Sequence, residues 1–274
     1  MYVKLATFLF LLYCSSCAKQ VPSIPPVYVH INSIPLQTDM STQGSASSNI
    51  TDAWVYLDGA YFGTFALPAT FPVLLSGNHR IKISPGIKID GAGGNRIPYP
   101  MYTSYIKDIA FSQPVYLDGG VNYTPNVNIV WIEDFEKSSK SSGMIVEREP
   151  SLVFEGKGSG AVYLDNINTF AEFKSNTNFV LPKSGAPIYL ELNYKANLQF
   201  SVNITSRTSS VTTTVPVGGG NPSWIWKKIY FDLTPAVASN IDALDYGISI
   251  TVQNKNSNKG GNLFLDNVKL VCLK

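Results

Sequence analysis

Two cysteines three residues apart, Cys14 and Cys17, are the first residues whose type and spacing could do chemistry. A Cys-x-x-Cys pair serves redox exchange near a βαβ pattern, or holds zinc when a second ligand pair is at hand. The other cysteine is Cys272, and neither His30 nor His79 lies near it in sequence, so the zinc reading fails. No HExxH or EF-hand loop occurs. Ser159, in EGKGSG, has Lys157 where a GxSxG nucleophile elbow needs glycine. Those glycines precede no helical pattern, so they are expected to form a turn before the strand AVYLD rather than a phosphate loop. Glycoside hydrolysis needs only two carboxylates. Glu133, Asp134, Glu136 and Glu191 are the candidates, but nothing in the sequence sets any two at the required separation.

The setting of Cys17 says more than its spacing. One Lys4 precedes nine apolar residues, Leu5–Tyr13. That is too short for a membrane-spanning helix, which takes about 20, but it fits the apolar part of a secretory signal with Ser15 and Ser16 at the cleavage site. The stretch LYCSSC resembles a bacterial lipobox, departing from it in having Cys14 three residues before Cys17 where leucine is usual. The resemblance implies that residues 1–16 are a lipoprotein signal peptide and that Cys17 is lipidated, with palmitate-type chains. Several chains together give stable attachment, each buried CH₂ contributing about 0.8 kcal/mol. The expected partner is then a membrane and the expected location the cell envelope, at the outer membrane. A plain secretory signal with an incidental cysteine is the other reading. The segment AKQVPSIPP (residues 18–26) makes 17–26 an extended tether.

Charge narrows the class further. Lys and Arg number 21 against 19 Asp and Glu, with no basic patch or arm, which argues against nucleic acid as a partner. Charged residues make up 15% of the chain, well under the usual quarter. This is the look of an extracytoplasmic β protein, and no long amphipathic helical pattern follows the signal.

Two units are expected. In the first, residues 27–129, β-rich runs flank Asp58-Gly59, a dipeptide that favours a type I′ hairpin turn. Ser76-Gly77-Asn78, followed by HRIKIS, is a weaker hairpin signal, and Thr38–Asn49 is a polar loop. The arrangement VYLDGAYFG…LPATFPVLLSGNHRIKI resembles the PEGA-type β-domain of bacterial envelope proteins, which implies a small β-sandwich with no catalytic residues. Asp118-Gly119 repeats the Leu-Asp-Gly pattern and is taken as turn chemistry. The tyrosines at 99, 102 and 105 are either a loop contact surface or packing within their own unit.

A second unit, residues 130–274, begins near WIEDFE. Its landmarks, DFE, GSGAVYLD, Trp226 with Asp232-Leu233, and Asp266-Asn267-Val268 near the end, are similar to galactose-binding-like jelly rolls, the architecture of many carbohydrate-binding modules. The resemblance implies a structural Ca²⁺ held by the first and last strands. Asp134 and Glu136, two apart on one strand face, and Asp266 are its candidate ligands, with backbone carbonyls completing six to eight oxygens. The alternative is a strand end with incidental acids. The fold class is therefore all-β, two tandem β-sandwiches with the second a jelly roll.

Alternation supplies the remaining candidates. Tyr189, Glu191 and Asn193 oppose Ile188, Leu190 and Leu192, while Gln199, Ser201, Asn203 and Thr205 oppose Leu198, Phe200, Val202 and Ile204. Such uncharged polar faces suit sugar hydroxyls, with Tyr189 or Trp224 stacking on pyranose rings. They are also the ordinary wet side of an antiparallel sandwich. Tyr189, Glu191, Asn193, Gln199 and Trp224 are the candidate ligand residues. The expected function is non-catalytic binding of a glycan or another envelope component, against the alternative of a structural subunit in an envelope assembly.

Overall fold

The computed structural model describes residues 25–89, 94–137, 141–206, 213–217, 224–255 and 259–274. Cys17, the signal and most of the tether lie outside them. Among the described residues of the N-terminal half ten strands form: β1 (Val27–Ile31), β2 (Leu36–Gln37), β3 (Asp52–Leu57), β4 (Ala60–Ala66), β5 (Ala69–Val73), β6 (Gly77–Lys88), β7 (Arg96–Pro98), β8 (Tyr105–Phe111), β9 (Val115–Leu117) and β10 (Val121–Asn122). One sheet runs β5-β1-β9 and the facing one β4-β3-β6-β7, with β8 also on β6. Val29, Val55, Phe71, Ile81, Ile83 and Phe111 fill the space between them.

Asp58 and Gly59 both have positive φ, +49° and +85°, and join β3 to β4 as the type I′ preference requires. The expected hairpin at Ser76-Gly77-Asn78 is not one. β5 pairs with β1 and β6 with β3 and β8, so this link carries the chain from one sheet to the other. Asp118-Gly119 is likewise no tight turn: a Cβ on Gly119 would lie 1.9 Å from the Tyr105 ring, so glycine serves close packing there. The polar loop Thr38–Asn49 contains one helical turn, Met40–Gln43, capped by the Asp39 carboxylate accepting from the Ser41 N–H.

The C-terminal half is a jelly-roll sandwich. Its strands are β11 (Val127–Glu133), β12 (Ser141–Ser142), β13 (Ile145–Glu147), β14 (Ser159–Leu164), β15 (Phe170–Ser175), β16 (Ile188–Ala196), β17 (Phe200–Ser206), β18 (Thr213–Val217), β19 (Lys227–Asp232), β20 (Tyr246–Gln253) and β21 (Gly261–Leu273). The inner sheet runs β13-β14-β21-β16-β19 and the outer β12-β15-β20-β17-β18. The long β21 has β16 along one side and shares the other between β14 and β11. Leu190, Leu192, Phe200, Val202, Phe231, Ile250 and Leu265 pack between the sheets, as the alternation of their strands predicts. The chain is all-β, with two sandwiches following one another.

The inner sheet has a second face, and the N-terminal half lies on it. Tyr189, Tyr230 and Val271 belong to the N-terminal hydrophobic cluster, and Ile89 forms a parallel bridge to Tyr230. Strand β11 spans the position, Val130, at which a second unit was expected to begin.

Candidate ligand-binding site

The buried face of the inner sheet carries the polar residues that alternation singled out. Tyr189 is 3% exposed, Glu191 0% and Asn193 1%. Sequence-level reasoning set these side chains on one face correctly but gave that face to solvent or ligand, whereas tyrosines of the N-terminal half cover its Tyr189–Glu191 end. Glu191 accepts from the Tyr99 hydroxyl on Oε1 (2.8 Å) and from the Tyr123 hydroxyl on Oε2 (3.0 Å). The Tyr99 ring meets Tyr102, Tyr189 and Tyr230 at centroid distances of 4.7, 5.0 and 5.0 Å. Burial and the Glu191 carboxylate hold the Tyr99 and Tyr123 phenols well above their ordinary pKa, so both stay donors. Two lysines complete this interior. Lys269 donates to the Ser45 carbonyl at 2.5 Å, and burial, reinforced by the charge of Lys228, lowers its pKa to about 8. Lys228 lies 3.6 Å from Glu191 Oε2, an ion pair beyond hydrogen-bond reach, and burial lowers its pKa against the pull of Glu191.

Beside this junction a cleft of about 450 Å³ opens between the halves. Asn49 and Lys227 stand exposed at its rim, while Asn193 and Lys228 form its floor. Ser47, Ser48, Lys88, Phe154, Tyr194 and Trp226 complete the walls, and the Phe154 and Trp226 rings meet edge to face at 5.5 Å. The register fixes the floor: Asn193 and Lys228 are direct cross-strand partners on β16 and β19. Three buried polar atoms here, Asn193 Oδ1, Lys228 Nζ and Trp226 Nε1, have no hydrogen-bond partner among the described residues. A buried polar atom left unpaired costs about 1–3 kcal/mol, and all three of these shielded atoms belong to residues that line one cleft. Sequence-level reasoning used Trp226 only as a strand landmark and passed over Lys228. Their i, i+2 spacing with Tyr230 in WKKIY, opposite Ile229 and Phe231, was the signal that they share the face turned from the sandwich core.

The other candidates stand apart from the cleft. Gln199 is exposed ahead of β17. Trp224, at φ +49°, lies over the Lys195 ammonium at 5.1 Å and against Phe264 at 5.7 Å. Of the five candidate ligand residues, Asn193 is the one that lines the cleft.

The candidate metal ligands do not share a strand face, because β11 stops at Glu133 and Phe135 has φ +57°. Asp134 is exposed, and its Oδ1 accepts from the Glu136 N–H at 3.2 Å. Glu136 Oε1 accepts from the N–H groups of Lys157 (2.7 Å) and Gly158 (3.2 Å). Asp266 is buried and accepts from Ser159 Oγ (2.7 Å), the Glu155 N–H (3.3 Å) and the Asn267 N–H (2.7 Å). Asn267, at φ +47°, is the bulge that shifts the β21 register between Glu191 and Asn193 on β16. Burial outweighs these donors and raises the Asp266 pKa to about 7. Among the described residues no group of three or more His, Cys, Asp or Glu side chains is placed to hold a metal ion. Glu133, the remaining candidate hydrolytic carboxylate, is buried and accepts from the Phe135 N–H and Ser141 Oγ.

No family model matches the chain, and no curated relative matches it. Solved structures that are similar in part include the module TmCBM61 in complex with β-1,4-galactotriose, at 14% identity over 47% of this chain and 85% of that one, TM-score 0.32. A variant of the family 29 carbohydrate-binding module CBM29-2 complexed with cellulohexaose matches at 11% identity over 54% and 92%, TM-score 0.34. A structure of promiscuous carbohydrate-binding modules from the β-sandwich superfamily matches at 12% identity over 80% and 84%, TM-score 0.35. At these scores the likeness assigns neither ligand nor site.

Proposed function

We propose that this chain is a lipid-anchored cell-envelope protein that binds a glycan without transforming it, and that the cleft at Asn193, Trp226 and Lys228 is where it does so. Cys17 and the short apolar run before it support the anchor. The observation that carries the binding reading is the set of three unpartnered buried polar atoms beside aromatic rings in a cleft of about 450 Å³. The lining is mixed, with serines, asparagines and lysines beside the rings of Phe154, Tyr194 and Trp226, and rings beside hydroxyl-pairing groups suit a sugar. A glycan-array screen of the full chain in detergent tests it: a defined set of saccharides should bind, and Trp226→Ala should weaken binding at least tenfold. Absence of any glycan signal would sink the reading.

A second reading, a structural subunit of an envelope assembly, is favoured by a different surface. Ile145, Tyr163 and Phe170 are all exposed around a largely apolar groove of about 490 Å³ next to the edge strand β13. Exposed apolar groups grouped beside a free strand edge are a usual mark of protein contact.

A further inference from the structure

The cleft has a charge as well as a shape. Lys88, Lys227 and Lys228 line it, and no carboxylate does among the described residues. Lys228 is 7% exposed, and Glu191, its ion-pair carboxylate among the described residues, already accepts a phenol hydrogen bond on each oxygen, with Asp266 and Glu155 acting on it from farther off. None of the three N–H donors of Lys228 is used in a hydrogen bond among the described residues. A buried ammonium with free donors favours an anion, because a negative oxygen restores both the lost hydration and the charge balance.

From these groups we infer that the ligand is a saccharide bearing a carboxylate, a uronic acid, with its carboxylate on Lys228 and the Trp226 N–H. The inference rests on the glycan reading and sharpens it. Two donors, an ammonium and an indole N–H, match the two oxygens of one carboxylate. The third unpartnered atom, Asn193 Oδ1, is an acceptor, and a lone inorganic anion would set one acceptor against another there. A ring hydroxyl next to the carboxylate resolves that conflict by donating to Asn193 Oδ1. The Trp226 and Phe154 rings supply apolar surface for the sugar ring, and Lys88 and Lys227 add long-range attraction at the mouth.

Calorimetry on the full chain in neutral detergent, at low salt, tests this with trimers of galacturonate, glucuronate and mannuronate, each against its methyl ester. The ester keeps the ring and hydroxyls and removes the charge. At least one acid should bind tenfold or more tighter than its ester, and the gap should narrow as salt rises. Lys228→Met should shrink that preference to about twofold. Should that variant fail to fold, Trp226→Phe keeps a ring, removes the N–H and should cut the preference at least threefold. Equal affinity for acids and esters would overturn the acidic ligand and leave the glycan reading standing. Binding of neither form by any trimer, with neutral saccharides still bound, would overturn the inference alone. No saccharide bound at all would overturn both.

Discussion

Strands β16 and β17 follow one another and alternate polar and apolar residues in the same way, yet their polar faces have opposite fates. Tyr189, Glu191 and Asn193 on β16 are enclosed under the N-terminal half, where Glu191 gathers Tyr99, Tyr123 and Lys228. On β17 the corresponding face, with part-exposed Ser201 and exposed Thr205, is the outer wall of the sandwich. There Asn203 donates to Thr251 Oγ1 at 3.1 Å and Ser249 Oγ at 3.5 Å, a side-chain ladder across strands β17 and β20. The lesson is that alternation assigns residues to a face, and only tertiary packing decides what covers that face.

The two faces differ most at Glu191. Glu191→Ala removes the acceptor of two phenols and leaves Lys228 and Lys269 buried without their nearest carboxylate. Losing one partner of a buried ion pair costs about 3–5 kcal/mol, and urea unfolding should show a loss of that order. A loss under about 1 kcal/mol would mean the junction is loosely held and the two faces are alike.

A pH titration sharpens the same contrast within the inner sheet. The Asp266 carboxyl has a folded pKa of about 7 against a reference near 4. The folded state therefore binds more protons between those values, and stability contributed by this group is fully present below about pH 4 and is lost as pH rises to about 7. The loss should be about 4 kcal/mol, and it should flatten in Asp266→Asn. An unchanged slope in that variant would assign the effect elsewhere.

The smallest effects belong to the outer wall. Asn203→Ala should cost about 1 kcal/mol through lost hydrogen bonds, while Gln199→Ala, at an exposed position, should stay within about 0.5 kcal/mol. Urea midpoints of the two variants check the ranking, and a large cost at Gln199 would show that the outer face is covered after all.

Much of the fold was legible because its signals are local. Period-two alternation placed Leu190, Leu192, Val202 and Ile204 in one core, and Asp58-Gly59 made its hairpin because both residues accept positive φ. The link at Ser76-Gly77 was misread because a turn signal does not say whether the next strand pairs or crosses to another sheet. The candidate site was legible in one residue, Asn193. Trp226, Lys228 and the Ser47–Asn49 wall come together only through strand register and the docking of a loop more than 170 residues earlier, which hydrophobic pattern does not encode. Tyr99 and Tyr102 were read either as a loop contact surface or as packing within their own unit, since nothing local marks Tyr189 and Tyr230 as partners.

Strand β21 has a kinetic consequence. Its thirteen residues pair with β11, more than 120 positions earlier, with β14 and with β16, and its Lys269 and Val271 also reach the N-terminal half. Loop closure over such spans is slow relative to local pairing. Until residues 261–273 have been synthesised and inserted, the inner sheet lacks its middle, and Lys269 and Val271 are missing from the surface that meets Tyr123 and its neighbours. The junction is therefore among the last parts to consolidate.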